Sequence, residues 1–163
     1  MKLKTSLFGA QKDIFFMQQV LHLAQNAFDK DEVPIGALVV DQHGKIIGKG
    51  FNCTENKNSQ VAHAEIIALQ KAGTKIQDWR LEGCWLYVNL EPCAMCMNMA
   101  ILSRIEGVVF GAQSPLFGFH LDNDLSIGIY KKGAPKIVAG VEQDQAAQLL
   151  KRFFKTKRTI NKG

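Results

Sequence analysis

Two short segments carry residue types that could do chemistry together: Ala62-His63-Ala64-Glu65 and Glu91-Pro92-Cys93-Ala94-Met95-Cys96. Cys93 and Cys96 are three apart, so on a helix they share a face and both sulfurs can reach one ion. A helix N-terminus favours thiolate, the form that binds a metal. His63 could supply a third ligand. Three protein ligands with the fourth position open is the pattern of a catalytic zinc rather than of a closed structural one. Glu65 is the discriminating residue. Two positions from His63, it would fall on roughly the opposite side of a long helix. The pairing makes sense only if both stand at the very start of the helix, facing an ion and a substrate end-on. There Glu65 could take a proton from zinc-bound water and pass it to a leaving group without ligating the metal. Zinc makes such water available by lowering its pKa from about 15.7 to about 7.

Other readings compete for the same residues. A Cys-x-x-Cys between a strand and a helix equally suits a thioredoxin-type redox site. The upstream His-Ala-Glu and the Pro92 before the first cysteine shift the balance to zinc, because His-x-Glu followed by Pro-Cys-x-x-Cys is the signature of zinc deaminases. Cys53 lies in a polar loop and Cys84 precedes a strand, so each reads as a free thiol or a small core residue. Met95, Met97 and Met99 read as core packing, and nothing ties His22, His43 or His120 to chemistry.

Elements that could position these segments follow from periodicity. Residues 13–28 place Ile14, Met17, Leu21, Ala24 and Phe28 three and four apart, which predicts an amphipathic helix with Asp13 near its N-terminus. Residues 35–40 and 45–50 are β-rich and flank Asp41-Gln42-His43-Gly44, a hairpin pattern. The polar stretch 52–61 reads as a loop. A helix is expected from His63 to near Gly73, a strand at 85–88, a helix at 94–102 with Pro92 suiting its first turn, and a strand at 107–111. Residues 113–135 show scattered turns and one strand-like piece at 127–130, and a last strand is expected at 136–141. From residue 143 onward Ala146, Leu149, Leu150 and Phe153 share a helical face, which leaves Phe154 beside the stripe. Such alternation predicts helices around a mixed sheet.

The whole is 163 residues and 18.1 kDa, the size of one domain able to bury roughly 70% of its unfolded surface. The longest apolar runs are a few residues, too short to span a bilayer. The first thirteen residues hold too little apolar sequence for a signal-peptide core, so a cytoplasmic, reducing location is expected and the four cysteines are not expected as disulfides. The net charge of +5 is unevenly placed: residues 151–163 hold six basic residues and no acid, leaving 14 basic against 15 acidic before them. An acidic partner should therefore meet the C-terminus.

Beyond the two segments, Asp31-Glu32-Val33-Pro34-Ile35-Gly36-Ala37, Gly50-Phe51-Asn52, Leu90 before Glu91, Arg104-Ile105, Val108-Val109-Phe110-Gly111-Ala112 and a basic C-terminal Phe153-Phe154 occur in one order. In these the chain resembles the bacterial tRNA-specific adenosine deaminases of the cytidine deaminase-like superfamily. The resemblance implies an α/β fold, a three-layer α-β-α sandwich on a five-stranded mixed sheet. It implies a single zinc-dependent deaminase domain over residues 1–163, with a basic aromatic helix at 143–158. It implies hydrolysis of adenosine to inosine at wobble position 34 of a tRNA anticodon, arginine tRNA by family habit. One Zn2+ per chain would be held by His63, Cys93 and Cys96, with Glu65 as proton shuttle. By the same likeness Asn52 holds the base, Glu32, Val33, Pro34 and Leu90 line its pocket, and Phe154, Lys157 and Arg158 meet the anticodon stem-loop. A homodimer is implied, and no membrane partner. The chain departs from the family pattern at Cys53, where Arg is common, at Ser59-Gln60, where Asp-Pro is usual, and through 113–135. The rival is a deaminase of a free base or nucleoside, of guanine or cytosine type, with the same zinc residues; it needs neither Glu32-Val33-Pro34 nor the aromatic-basic tail.

Overall fold

The structure, a computed structural model, describes residues 2–121 and 134–160. In chain order it comprises β1 (Lys2–Leu3), α1 (Ala10–Asp29), β2 (Gly36–Val40), β3 (Ile46–Phe51), α2 (Thr54–Lys57), α3 (Ala64–Ile76), β4 (Trp85–Leu90), α4 (Ala94–Leu102), β5 (Gly107–Ala112), a 3-10 turn (Phe119–Leu121), β6 (Lys136–Ala139) and α5 (Gln143–Ile160). The strand-like piece at 127–130 lies outside the described residues.

The strands form one mixed sheet in the order β1-β6-β5-β4-β2-β3. β2 is antiparallel to both β3 and β4, and β4, β5, β6 and β1 run parallel. The sheet thus has six strands, not the five expected. The extra one is Lys2–Leu3, which pairs with Ile137 and Val138 and covers the edge of β6.

Alternation along the strands feeds two cores, one on each face. Ala37, Val39, Leu86, Val88, Val108 and Phe110 point to the side holding α3 and α4, where they meet Ala64, Ala68, Leu69, Met97 and Ala100. Leu38, Val40, Trp85, Tyr87, Val109 and Val138 point to the other, where they meet Phe16, Met17 and Val20 of α1. α5 joins this second layer through Phe153, whose ring packs edge-on against Phe28 at 5.5 Å. This is the three-layer sandwich, and with both faces covered the strands read as unbroken apolar runs.

Two local expectations shift. The buried face of α1 is Asp13, Phe16, Met17, Val20, Ala24 and Ala27, one position round from the expected stripe, and Ile14 is 40% exposed. Asp13 is the cause. It is no surface charge on the helix start but a buried acceptor, taking hydrogen bonds from Ser6 N–H (2.8 Å), Ser6 Oγ (2.5 Å) and Tyr87 OH (2.7 Å). The stretch 52–61 also contains α2, a single turn.

One close approach places the functional helix. A Cβ at Gly50 would stand 2.6 Å from the Ala64 carbonyl oxygen and 2.9 Å from Ile67 Cβ. Only glycine lets the first turn of α3 rest directly on β3.

Candidate metal and proton-transfer site

His63 and Cys93 are the residues immediately before α3 and α4, both in extended conformation, and neither side chain caps its own helix. Their side chains are therefore free to meet. His63 Nδ1 lies 3.4 Å from Cys96 Sγ and 3.7 Å from Cys93 Sγ, and all three ligand atoms fall within 4.8 Å of one another. Zinc bonds of about 2.3 Å to sulfur and about 2.0–2.1 Å to nitrogen give a tetrahedron with edges of about 3.5 Å, so the donor set fits the ion. His63 Nε2 faces the Gln60 amide at 3.5 Å, which leaves Nδ1 for the metal.

Electrostatics within the cluster agree with that use. A hydrogen bond with Cys96, then one with His63, draws Cys93 down to about 4 against the opposing effect of burial. Cys96 is held well above the usual thiol range by the same bond to Cys93 and by burial. The pair thus favours one thiolate, the form that binds a metal. His63 is raised, first by its bond with Cys93 and then, against burial, by the charges of Glu65 and Cys93.

Glu65, in the first turn of α3, is 4% exposed, and its Oε2 has no hydrogen-bond partner among the described residues. Burial pushes its carboxyl up to about 7, against its own backbone N–H and the His63 charge. A buried carboxyl oxygen without a partner costs stability. Set beside a metal cluster and poised near neutrality, it has the properties of a proton carrier.

The positions carried by resemblance divide into groups. Asn52, Val33 and Pro34 come together: Asn52 Nδ2 donates to the Val33 carbonyl at 3.3 Å, and Asn52 Oδ1 accepts from Thr54 N–H at 3.3 Å. Leu90 is half-buried at the end of β4, three residues before Cys93. The Glu32 carboxylate faces α2 instead of a ligand space, accepting from the N–H groups of Glu55 and Asn56 and from Asn56 Nδ2. It is the mount of that loop. Burial would raise its carboxyl, but these hydrogen bonds prevail and hold it below the ordinary range. Lys157 pairs with Asp31 and, with Val33, Asn56 and Phe153, lines a cleft of about 420 Å³ that does not include the metal cluster. Phe154 and Arg158 stand exposed away from that lining, whereas Phe153 is buried, as periodicity predicted.

Two supporting residues escaped the sequence. Asn89, fully buried, accepts from Gly36 N–H (2.8 Å) and donates to the Pro34 carbonyl (2.9 Å), fixing the Val33-Pro34 segment to β4. Glu91 is buried and receives Ser114 N–H at 3.0 Å and His120 N–H at 3.1 Å. For Asn89 the signal available was a polar residue inside an apolar, strand-type run, which is buried only with partners; Glu91 lies just past that run.

Known proteins match this arrangement. Residues 10–112 match the cytidine and deoxycytidylate deaminase zinc-binding region. A tRNA-specific adenosine deaminase of Bacillus subtilis is 39% identical over 154 residues, 93% of this chain and 94% of that one. A solved structure from studies of A-to-I editing by tRNA:A34 deaminases superposes with a TM-score of 0.78 at 36% identity, covering 83% of this chain and 99% of that one. A guanine deaminase from Nitrosomonas europaea superposes with a TM-score of 0.72 at 25% identity, covering 91% and 93%. With the zinc-binding region matched and the adenosine deaminase aligned almost end to end, the chain is a zinc-dependent hydrolytic deaminase and belongs to the family of tRNA-specific adenosine deaminases.

Proposed function

We propose that this protein converts adenosine to inosine at wobble position 34 of a tRNA anticodon, that of an arginine tRNA, acting as a cytoplasmic homodimer. Water adds at C6 of the base and ammonia leaves. The observation that carries the chemistry is the unpartnered, buried Oε2 of Glu65 beside His63, Cys93 and Cys96. His63, Cys93 and Cys96 would hold the ion. Zinc bound there supplies a Lewis acid that makes water acidic enough to react at neutral pH. Glu65 accepts the proton released as water attacks and returns it to the departing amino group. Its carboxyl near 7 suits both halves of that transfer.

A stacked base cannot reach this acid and must flip out, at a cost of a few kcal/mol. Val33, Pro34 and Leu90 offer it apolar walls, and Asn52 offers an amide to hydrogen-bond its edge. Asn52 already serves Val33 and Thr54, so holding a base requires it to exchange one of those bonds. On α5, Phe154 and Arg158 are free for the anticodon loop, while Lys157 must leave or share Asp31. The RNA substrate is supported by 39% identity to a tRNA-specific adenosine deaminase, against 25% to the guanine deaminase.

Incubation with an anticodon stem-loop carrying A at the wobble position, beside free adenine, guanine, cytosine and cytidine, tests the reading. Inosine in the RNA is expected, and turnover of a free base alone would overturn it in favour of the rival. Metal analysis should find about one zinc per chain, lost on Cys96→Ala together with activity; an active zinc-free variant would remove the cluster from the mechanism.

A further inference from the structure

The turn after β5 is fastened to the metal loop by one buried carboxylate. Glu91 accepts from the backbone N–H groups of Ser114 and His120, and His120 Nδ1 lies 2.8 Å from each carboxylate oxygen. Phe119 N–H donates to the Pro92 carbonyl at 3.0 Å, and Gly118 forms an antiparallel bridge with Cys93 itself. Gly118 has no latitude: a Cβ there would run into the Glu91 carboxylate and come within 2.6 Å of the Ser114 carbonyl oxygen. Phe119 anchors the turn inward, edge-on to Phe110 at 6.3 Å.

At the tip of this mount Leu116 is 75% exposed and Phe117 74% exposed. Residues 113–121 contain no Lys, Arg, Asp or Glu, so the turn offers no fixed cation to a phosphate. It offers a flat apolar face one residue from the glycine that pairs with a metal-binding cysteine. Because the backbone beneath is tied at Ser114, Gly118, Phe119 and His120, ordering the ring on contact costs little. Bases splayed from a single-stranded loop stack on such rings whatever their identity, since every base has a π-face.

We propose that Phe117 is a stacking platform for a base of the RNA substrate neighbouring the one that is deaminated, with Leu116 flanking it. The proposal rests on the RNA reading above. It divides recognition in two: a non-ionic contact at this turn and an ionic one on α5.

The test is kcat/KM on the anticodon stem-loop for Phe117→Ala, Phe117→Leu and Phe117→Tyr, measured across a salt series. Alanine and leucine should each lose about 5- to 100-fold, and tyrosine should keep the wild-type value. The log–log salt slope, zinc content and melting temperature should stay at wild-type values, because no phosphate contact or buried group is removed. A wild-type rate in Phe117→Ala overturns the proposal. So does leucine performing as well as tyrosine, which would make the contact merely apolar. A loss that tracks with dissociation in sedimentation also overturns it, assigning the tip to an interface between copies. If wild-type protein spares the stem-loop and turns over only a free base, the RNA reading fails and this inference falls with it. If wild-type and Phe117→Ala edit the stem-loop equally well, only the stacking fails.

Discussion

Glu65 and Glu91 are both buried carboxylates beside the same metal cluster, yet their surroundings are opposite. Glu91 receives two backbone N–H groups and an imidazole, and Glu65 keeps one oxygen, Oε2, with no hydrogen-bond partner among the described residues. Glu32, also buried, resembles Glu91: every hydrogen bond it accepts serves to hold a turn. Saturation ties a carboxylate to one task, holding the chain. An unsaturated oxygen is available to a reacting water or amine. The distinction sets two carboxylates, which hold the chain, apart from one that is left available, although all three are buried.

The largest effect should come from Glu65→Gln, which keeps size and burial but cannot carry the proton. Turnover should fall at least ~100-fold with zinc retained; near-normal turnover would erase the difference between the two acids. Glu91→Ala should act on stability, lowering the unfolding free energy by about 3 kcal/mol in a urea titration, because buried amides of Ser114 and His120 lose their acceptor. If it instead matched Glu65→Gln in rate loss at unchanged stability, Glu91 would belong to the chemistry.

Glu32 sharpens the same contrast through pH. Its folded carboxyl lies below the ordinary range, so its stabilisation is complete above that range and is lost as pH falls through the folded value. Thermal melts of Glu32→Gln should therefore show a smaller decline than wild type between about pH 5 and pH 3. An unchanged acid limb would mean that the α2 mount contributes nothing. The smallest effect is expected for Lys157→Ala. Its pair with Asp31 is exposed and should be worth at most about 0.5 kcal/mol, so melting should hardly move while RNA binding loses part of its salt dependence.

The metal end was legible because its signal is local. His63 and Glu65 can cooperate only at a helix start. Cys93 and Cys96 are close enough in sequence to reach one ion, although Cys93 does so from the extended residue before α4 rather than from a shared helix face. Phe153 inward and Phe154 outward followed from periodicity. What sequence could not reach depends on partners far along the chain. β1 is two residues long, too short for a pattern, and exists because β6 lies beside it. The stripe on α1 was misplaced by one position because Asp13 finds Tyr87, 74 residues away. Asn89 and Glu91 take their roles from Pro34, Gly36, Ser114 and His120, which lie 23 to 55 residues away. His120 in particular had no local pattern to identify it.

Gly50 carries a consequence for how this protein can be altered. The Ala64 carbonyl it accommodates stands between His63 and Glu65, so the missing side chain acts as a machined seat for both. A methyl group there would be a shim, lifting the start of α3 and carrying His63 and Glu65 off together from Cys93, just before α4, and Cys96, within it. The exposed tip of the 113–121 turn, at Leu116 and Phe117, can be altered without touching that seat. The spacing between the start of α3, with His63 and Glu65, and the two cysteines is gauged from beneath, by the bare backbone of β3.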